Sequence, residues 1–283
     1  MTNSSITKTK NWTYLQVIYS TAIEELNKDF SYLSINFMPI KGAYLIATGL
    51  AEHIKTREML DIDILVHPQD FNRVVNYFFS HSKAIPVQNY WPFEFSFLYN
   101  LGKAFIYVEL HNQINYPERF ILPPADLFLR AIKTNNFMVL PSPEDALLIV
   151  LCHTLVHIPF EINKTLFDEI YLISNQNNFC WQKFLTLTKN TKISQFIFMI
   201  LFMYSKKKNL KLPFINISAF SRLILFMLNK NIFYSLPFLI RRILIDIPFT
   251  AKPFMFFIKR NVFRRFYCLV DETKLLIRNN LIY

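Results

Sequence analysis

Glycine is nearly missing from this chain: Gly42, Gly49 and Gly102 are the only three in 283 residues. That makes a glycine at a strand-to-helix turn informative. Cysteine is as scarce. Cys152, Cys180 and Cys268 are widely spaced and odd in number, with no metal or redox spacing, which reads as free thiols in a reducing cytoplasm. Long hydrophobic runs are missing too. The longest, such as Ile197–Tyr204 and Leu223–Leu228, fall well short of the ~20 residues that span a bilayer. The polar start, Met1–Lys10, carries no secretory signal and is expected to fray. These absences lead us to expect a soluble, cytoplasmic protein with no transmembrane segment.

Acidic residues thin out in the second half. From Trp181 onward there are 18 Lys and Arg against 3 Asp and Glu, a net of +15, whereas residues 1–180 hold 13 and 17, a net of −4. The basic groups are Lys206-Lys-Lys208 with Lys211, then Arg241-Arg242, Lys259-Arg260 and Arg264-Arg265. Such asymmetry suits an anionic partner of the C-terminal half, a nucleic acid or membrane surface among them. Solvated helix faces produce the same pattern. Heavy use of Phe, Ile, Asn and Lys also resembles AT-rich coding bias, so Phe-rich and Lys-rich runs are weak signals. Phe254, Phe256, Phe257, Phe263 and Phe266 interleave with the basic pairs, a pattern shared by interfacial amphipathic helices and by buried helix faces.

The densest chemistry lies in Arg57-Glu-Met-Leu-Asp61-Ile-Asp63-Ile-Leu-Val66. Residues two apart on a strand share a face, so Asp61 and Asp63 aim at one spot while Ile62, Ile64 and Val66 face a core. Converging carboxylates repel, and a divalent cation relieves the repulsion. An edge strand with a solvated acidic face is the plainer alternative. A third acid occurs in Phe105-Ile-Tyr-Val-Glu109-Leu-His111, where Tyr107, Glu109 and His111 alternate with Ile106, Val108 and Leu110. A neighbouring strand would set Glu109 beside the two aspartates, an oxygen set that suits Mg²⁺. Upstream, Phe37-Met-Pro-Ile-Lys41-Gly42 reads as a strand turning into a helix. Lys41 supplies a point charge for phosphate, and Gly42 lets the backbone come close to it.

Periodicity supplies the surroundings. Trp12–Phe30 is expected to be an amphipathic helix, followed by a Phe37–Ile40 strand, an Ala43–Ile54 helix, the Asp61–Val66 strand and a Pro68–His81 helix. Trp91–Tyr99 and Lys103–His111 read as a hairpin through Asn100-Leu-Gly102. Pro117–Pro124 marks the expected boundary between a core over residues 1–120 and a mainly helical C-terminal domain over 121–283. There, Ser142-Pro143-Glu-Asp145 is a helix start with Ser as N-cap, and Tyr204–Pro213 reads as an inter-helix turn. The fold class is therefore α+β: a small mixed sheet with flanking helices, then helices. His153 and His157 share a helix face, but a zinc site would need a further ligand, with Asp168 the distant candidate. Packed histidines, with His157 reaching a cleft, explain the pair more simply.

Lys41-Gly42, Arg57, Asp61-Ile-Asp63 and Glu109-Leu-His111 occur in an order that resembles the uncharacterised nucleotidyltransferase family of the polymerase-beta-like superfamily. The resemblance continues through Pro143-Glu-Asp145, His157 and Asp168, and spans roughly residues 20–270. Two departures stand out: Lys41-Gly42 replaces the Gly-Ser of the wider superfamily, and Glu109 replaces the commoner Asp. The resemblance implies transfer of a nucleoside monophosphate from ATP or another NTP to an acceptor, with pyrophosphate released. Asp61, Asp63 and Glu109 would then be catalytic residues that hold Mg²⁺, or Mn²⁺ in its place. Lys41, Gly42 and Arg57 would grip the phosphates, and His111, His157 and Asp168 would be cleft or structural residues. The acceptor is left open: a small molecule, peptide, protein or nucleic acid. Two other readings stand beside this one, a nucleotide-binding or interaction protein without turnover, and a nucleic-acid binder acting through the basic half.

Overall fold

Alternation along the central strands decides the architecture. The computed structural model describes residues 3–53, 61–87, 93–102, 104–114, 119–134, 136–157, 164–209 and 217–229. Strands β1 (Phe37–Pro39), β2 (Asp61–Val66), β3 (Ala84–Val87), β4 (Glu94–Asn100) and β5 (Phe105–His111) form one sheet in the order β1-β2-β5-β4-β3. β2 and β5 run parallel, and every other neighbouring pair is antiparallel. Ile62, Ile64, Val66, Phe97, Val108 and Leu110 turn to one face, where they meet α1 (Asn3–Leu33) and α3 (Phe71–Ser80). The helices contribute Ala22, Leu26 and Phe30, and Val74 and Phe78, at helical spacing. Each of the larger side chains, Leu26, Phe30, Val74 and Phe78, contributes about 1.5–3 kcal/mol on full burial. The other face carries Met38 and Leu65 into a second apolar cluster with α2 (Lys41–Ala47) and the C-terminal helices.

The hairpin expected between β4 and β5 is present, and Gly102 takes the left-handed conformation at φ +89° in its turn. α1 starts at Asn3, earlier than the periodicity implied, so the backbone of the polar start is helical. The helix expected to run through Ile54 ends at Ala47. Gly49 at φ +73° stops it and a 3₁₀ turn, Leu50–His53, follows. β3 was not among the expected elements; it holds Pro86 at the sheet edge, where no proline N–H is needed.

Beyond residue 120 come α4 (Pro124–Leu129), a small hairpin of β6 (Ile132–Lys133) and β7 (Val139–Leu140), and then α5 (Pro143–His157), α6 (Lys164–Ser174), α7 (Trp181–Asn190), α8 (Ser194–Lys208) and α9 (Ala219–Asn229). α5 starts as expected, with Ser142 Oγ accepting the Asp145 N–H at 3.3 Å. The fold is thus α+β, a five-stranded mixed sheet followed by helices. No helix among the described residues is long and apolar enough to cross a membrane. Cys152 is buried and Cys180 exposed, both as free thiols. Cys268 and the basic and aromatic groups after residue 229 lie outside the described residues.

Candidate active site

Strand register gathers the polar residues. Parallel pairing sets Asp61 opposite Tyr107, Asp63 opposite Glu109 and Leu65 opposite His111. On the other side of β5, β4 sets Ser96 opposite Glu109 and Glu94 opposite His111. With side chains alternating, all of these point away from the α1/α3 core. Ile40 N–H donates to the Asp63 backbone carbonyl at 3.1 Å, so the next residue, Lys41, opens α2 beside Asp63. The left-handed residue of this strand-to-helix turn is Lys41, at φ +53°, while Gly42 is buried in the helix. A non-glycine residue held there costs about 1–3 kcal/mol. The conformation accompanies a lysine aimed at the acids.

Lys41 Nζ donates to Asp63 Oδ1 at 2.6 Å. His111 Nε2 is 3.0 Å from the same oxygen and 3.6 Å from Glu109 Oε2. Its Nδ1 faces Glu94 Oε2 across 3.9 Å. One ligand atom each from Asp63, Glu109 and His111 lie within 4.8 Å of one another. Asp63 and His111 are buried, and Glu109 is half-buried.

The electrostatics follow from burial opposed by pairing. Burial raises the pKa of Asp63, but the Lys41 charge and the His111 bond outweigh it, and the carboxyl is held well below its usual range. For Lys41, burial pulls downward and Asp63, then Glu109 and Asp61, push upward, with a net rise. Lys41 therefore sits in the field of all three acids singled out by the motif. Burial lowers His111, the bonds to Asp63 and Glu109 raise it, and it is pushed up to about 9. Glu94 is raised, mainly by burial, against the pull of His111.

Two carboxylates and an imidazole at this separation fit a divalent cation. The buried Nδ1 of His111, without a hydrogen-bond partner, marks the end of the ring turned away from the cluster. Asp61 shares the face and the field at Lys41 but lies outside the 4.8 Å group. Arg57 lies outside the described residues, as does the side chain of His157, the last residue of α5. Asp168 accepts from Lys208 at 3.2 Å, which ties α6 to α8. Glu94 was not singled out from sequence. Its signal is the alternation Phe93-Glu94-Phe95-Ser96-Phe97, which places Glu94 and Ser96 together on the polar face.

The acids of the Pro143-Glu-Asp145 motif are structural. Asp145 takes both Arg130 Nε and Nη2, the latter at 2.8 Å, and Glu144 accepts the Cys180 N–H at 2.7 Å and Lys183 Nζ at 2.9 Å. Lys206–Lys208 form the last turn of α8, where cations suit the helix dipole, instead of an inter-helix turn. Their ammonium groups stand over Phe202, Phe167 and Tyr171 at 5.1–5.6 Å.

The site is thus a carboxylate pair on adjacent strands, next to a lysine at a strand-to-helix turn. A family model described as uncharacterised nucleotidyltransferase matches residues 8–206. The chain belongs to that family. No curated protein and no solved structure matches it significantly.

Proposed function

We infer that the protein transfers a nucleoside monophosphate from an NTP to an acceptor and releases pyrophosphate. The observation that carries this reading is the convergence of Asp63 and Glu109 on one sheet face with Lys41 beside them. Asp61, Asp63 and Glu109 would hold Mg²⁺, or Mn²⁺ in its place, which when bound neutralises charge on the α-phosphate and on the attacking and leaving oxygens. Lys41 exchanges its bond to Asp63 for a phosphate oxygen, and Gly42 and Arg57 complete the grip. Glu109, the more exposed acid, receives the acceptor's proton. The helical residues from 121 onward select the acceptor, in the cytoplasm where ATP and other NTPs are available.

A binding protein without turnover is the second reading. It is favoured by the double pairing of Asp63, whose charge Lys41 and His111 already compensate. The deciding experiment incubates the protein with α-labelled NTPs, Mg²⁺ or Mn²⁺ and host lysate. Labelled product that disappears with Asp63→Asn supports transfer. Nucleotide bound without label moving supports the second reading, and no nucleotide binding sinks both.

A further inference from the structure

The geometry points to His111 as a direct metal ligand, oriented from behind by Glu94, in a mixed oxygen–nitrogen centre that takes Mn²⁺ in preference to Mg²⁺. This rests on the nucleotidyl-transfer reading and deepens it. A purely carboxylate site needs no histidine, yet His111 is 4% exposed and aims Nε2 between Asp63 and Glu109, at 3.0 and 3.6 Å. Its other nitrogen is buried without a hydrogen-bond partner and faces Glu94 Oε2 at 3.9 Å. Ser96 Oγ in turn donates to Glu94 Oε1 at 3.3 Å. The β4–β5 register that sets Glu94 opposite His111 fixes this order through the backbone.

A carboxylate behind the second ring nitrogen keeps a proton on Nδ1. On metal binding Nε2 gives up its proton to solvent and its lone pair turns to the ion, while Glu94 holds the ring in orientation. Mg²⁺ takes oxygen ligands and releases water reluctantly, whereas imidazole favours transition metals. Glu94 is therefore a positioning residue, acting through His111 without touching the ion.

The test titrates the full-length protein with MnCl₂ without nucleotide and follows free Mn²⁺ by electron paramagnetic resonance. The bound ion is then examined for ¹⁴N coupling by spin-echo envelope modulation. Wild type is expected to show one site with histidine nitrogen coupling, at least about tenfold tighter for Mn²⁺ than for Mg²⁺. His111→Asn is expected to lose the coupling and the preference. Glu94→Gln is expected to keep the coupling but to bind about 10–100-fold more weakly. Thermal melts of both variants separate a lost site from a lost fold, and the wild-type spectrum decides alone if neither folds. Bound Mn²⁺ without nitrogen coupling, or equal affinity for the two ions, overturns the assignment and leaves nucleotidyl transfer standing on the carboxylates. Wild-type affinity in Glu94→Gln overturns its positioning role. Failure to bind Mn²⁺ at all also overturns the inference, and the labelled-NTP assay with Mg²⁺ then judges the function separately.

Discussion

Glu144 and Asp145 are neighbours in sequence, whereas Asp63 and Glu109 are far apart, yet only the distant pair has carboxylates that meet. On the first turn of α5 the adjacent acids diverge. Asp145 goes to Arg130 and Ser142, and Glu144 to Lys183 and the Cys180 N–H. On β2 and β5 the distant acids are drawn to one spot by parallel register and share His111. A buried acid is thus no indication of a site in itself. At α5 every carboxylate oxygen has a fixed donor, and the result is a fastening between helices. In the sheet, Asp61, Asp63, Glu94 and Glu109 share only Lys41 and His111, and the result is a place that can take up another cation.

The contrast can be broken from either side. Asp145→Ala should have the largest effect, because it strands Arg130 and removes the partner of the Ser142 cap. We expect a loss of about 3–5 kcal/mol in chemical denaturation, with transfer per folded molecule unchanged. A loss below 1 kcal/mol would mean that the α5 acids are not fastenings. Glu109→Gln should do the reverse. Transfer of labelled nucleotide should fall about a hundredfold or more, roughly 2.7 kcal/mol of barrier, while the melting temperature moves by only a degree or two. Wild-type transfer rates in that variant would remove Glu109 from the chemistry.

Glu144→Gln sharpens the comparison through pH. Burial would raise Glu144, but Lys183 and the Cys180 N–H outweigh it and its pKa is lowered. The unfolded value is about 4.3, so its contribution is complete above that pH and is lost as pH falls through the folded value. Urea denaturation between pH 3 and 7 should show the variant less stable by about 1.5–3 kcal/mol near neutrality, a gap that closes in acid. A gap that stays constant over this range would show that the carboxylate charge plays no part.

The smallest effect is expected from Lys206, Lys207 and Lys208. Their ring contacts and the Lys208–Asp168 pair are exposed, so each alanine should cost less than about 1 kcal/mol. If they also attract an anionic acceptor, the triple variant should raise its apparent KM at low salt, since screening acts over about 8–10 Å. Identical kinetics at low and high salt would leave these lysines as a helix end alone.

Much of the site could be read from local pattern. Period-two alternation in Asp61–Val66 and Phe105–His111 told which side chains share a face, and the structure keeps that division along both strands. The hairpin at Gly102 and the capped start of α5 were legible for the same reason: each is settled within a few residues. Glu94 escaped notice because a lone acid between phenylalanines has meaning only once its strand is paired. The partners of Glu144 and Asp145 were not legible, because Arg130, Cys180 and Lys183 are supplied by other elements.

By itself, then, the sequence determined which residues face the same way, where turns must break the chain, and that its apolar runs fall short of a bilayer span. Only the tertiary structure decided which faces meet. It set Asp63 beside Glu109 by parallel pairing, turned Lys41 into the left-handed region to reach Asp63, and placed Glu94 behind His111. The reason is the range of the interactions. Alternation and capping act over two to four residues and are written locally, whereas strand register and the sharing of one buried charge among several elements depend on how distant segments pack.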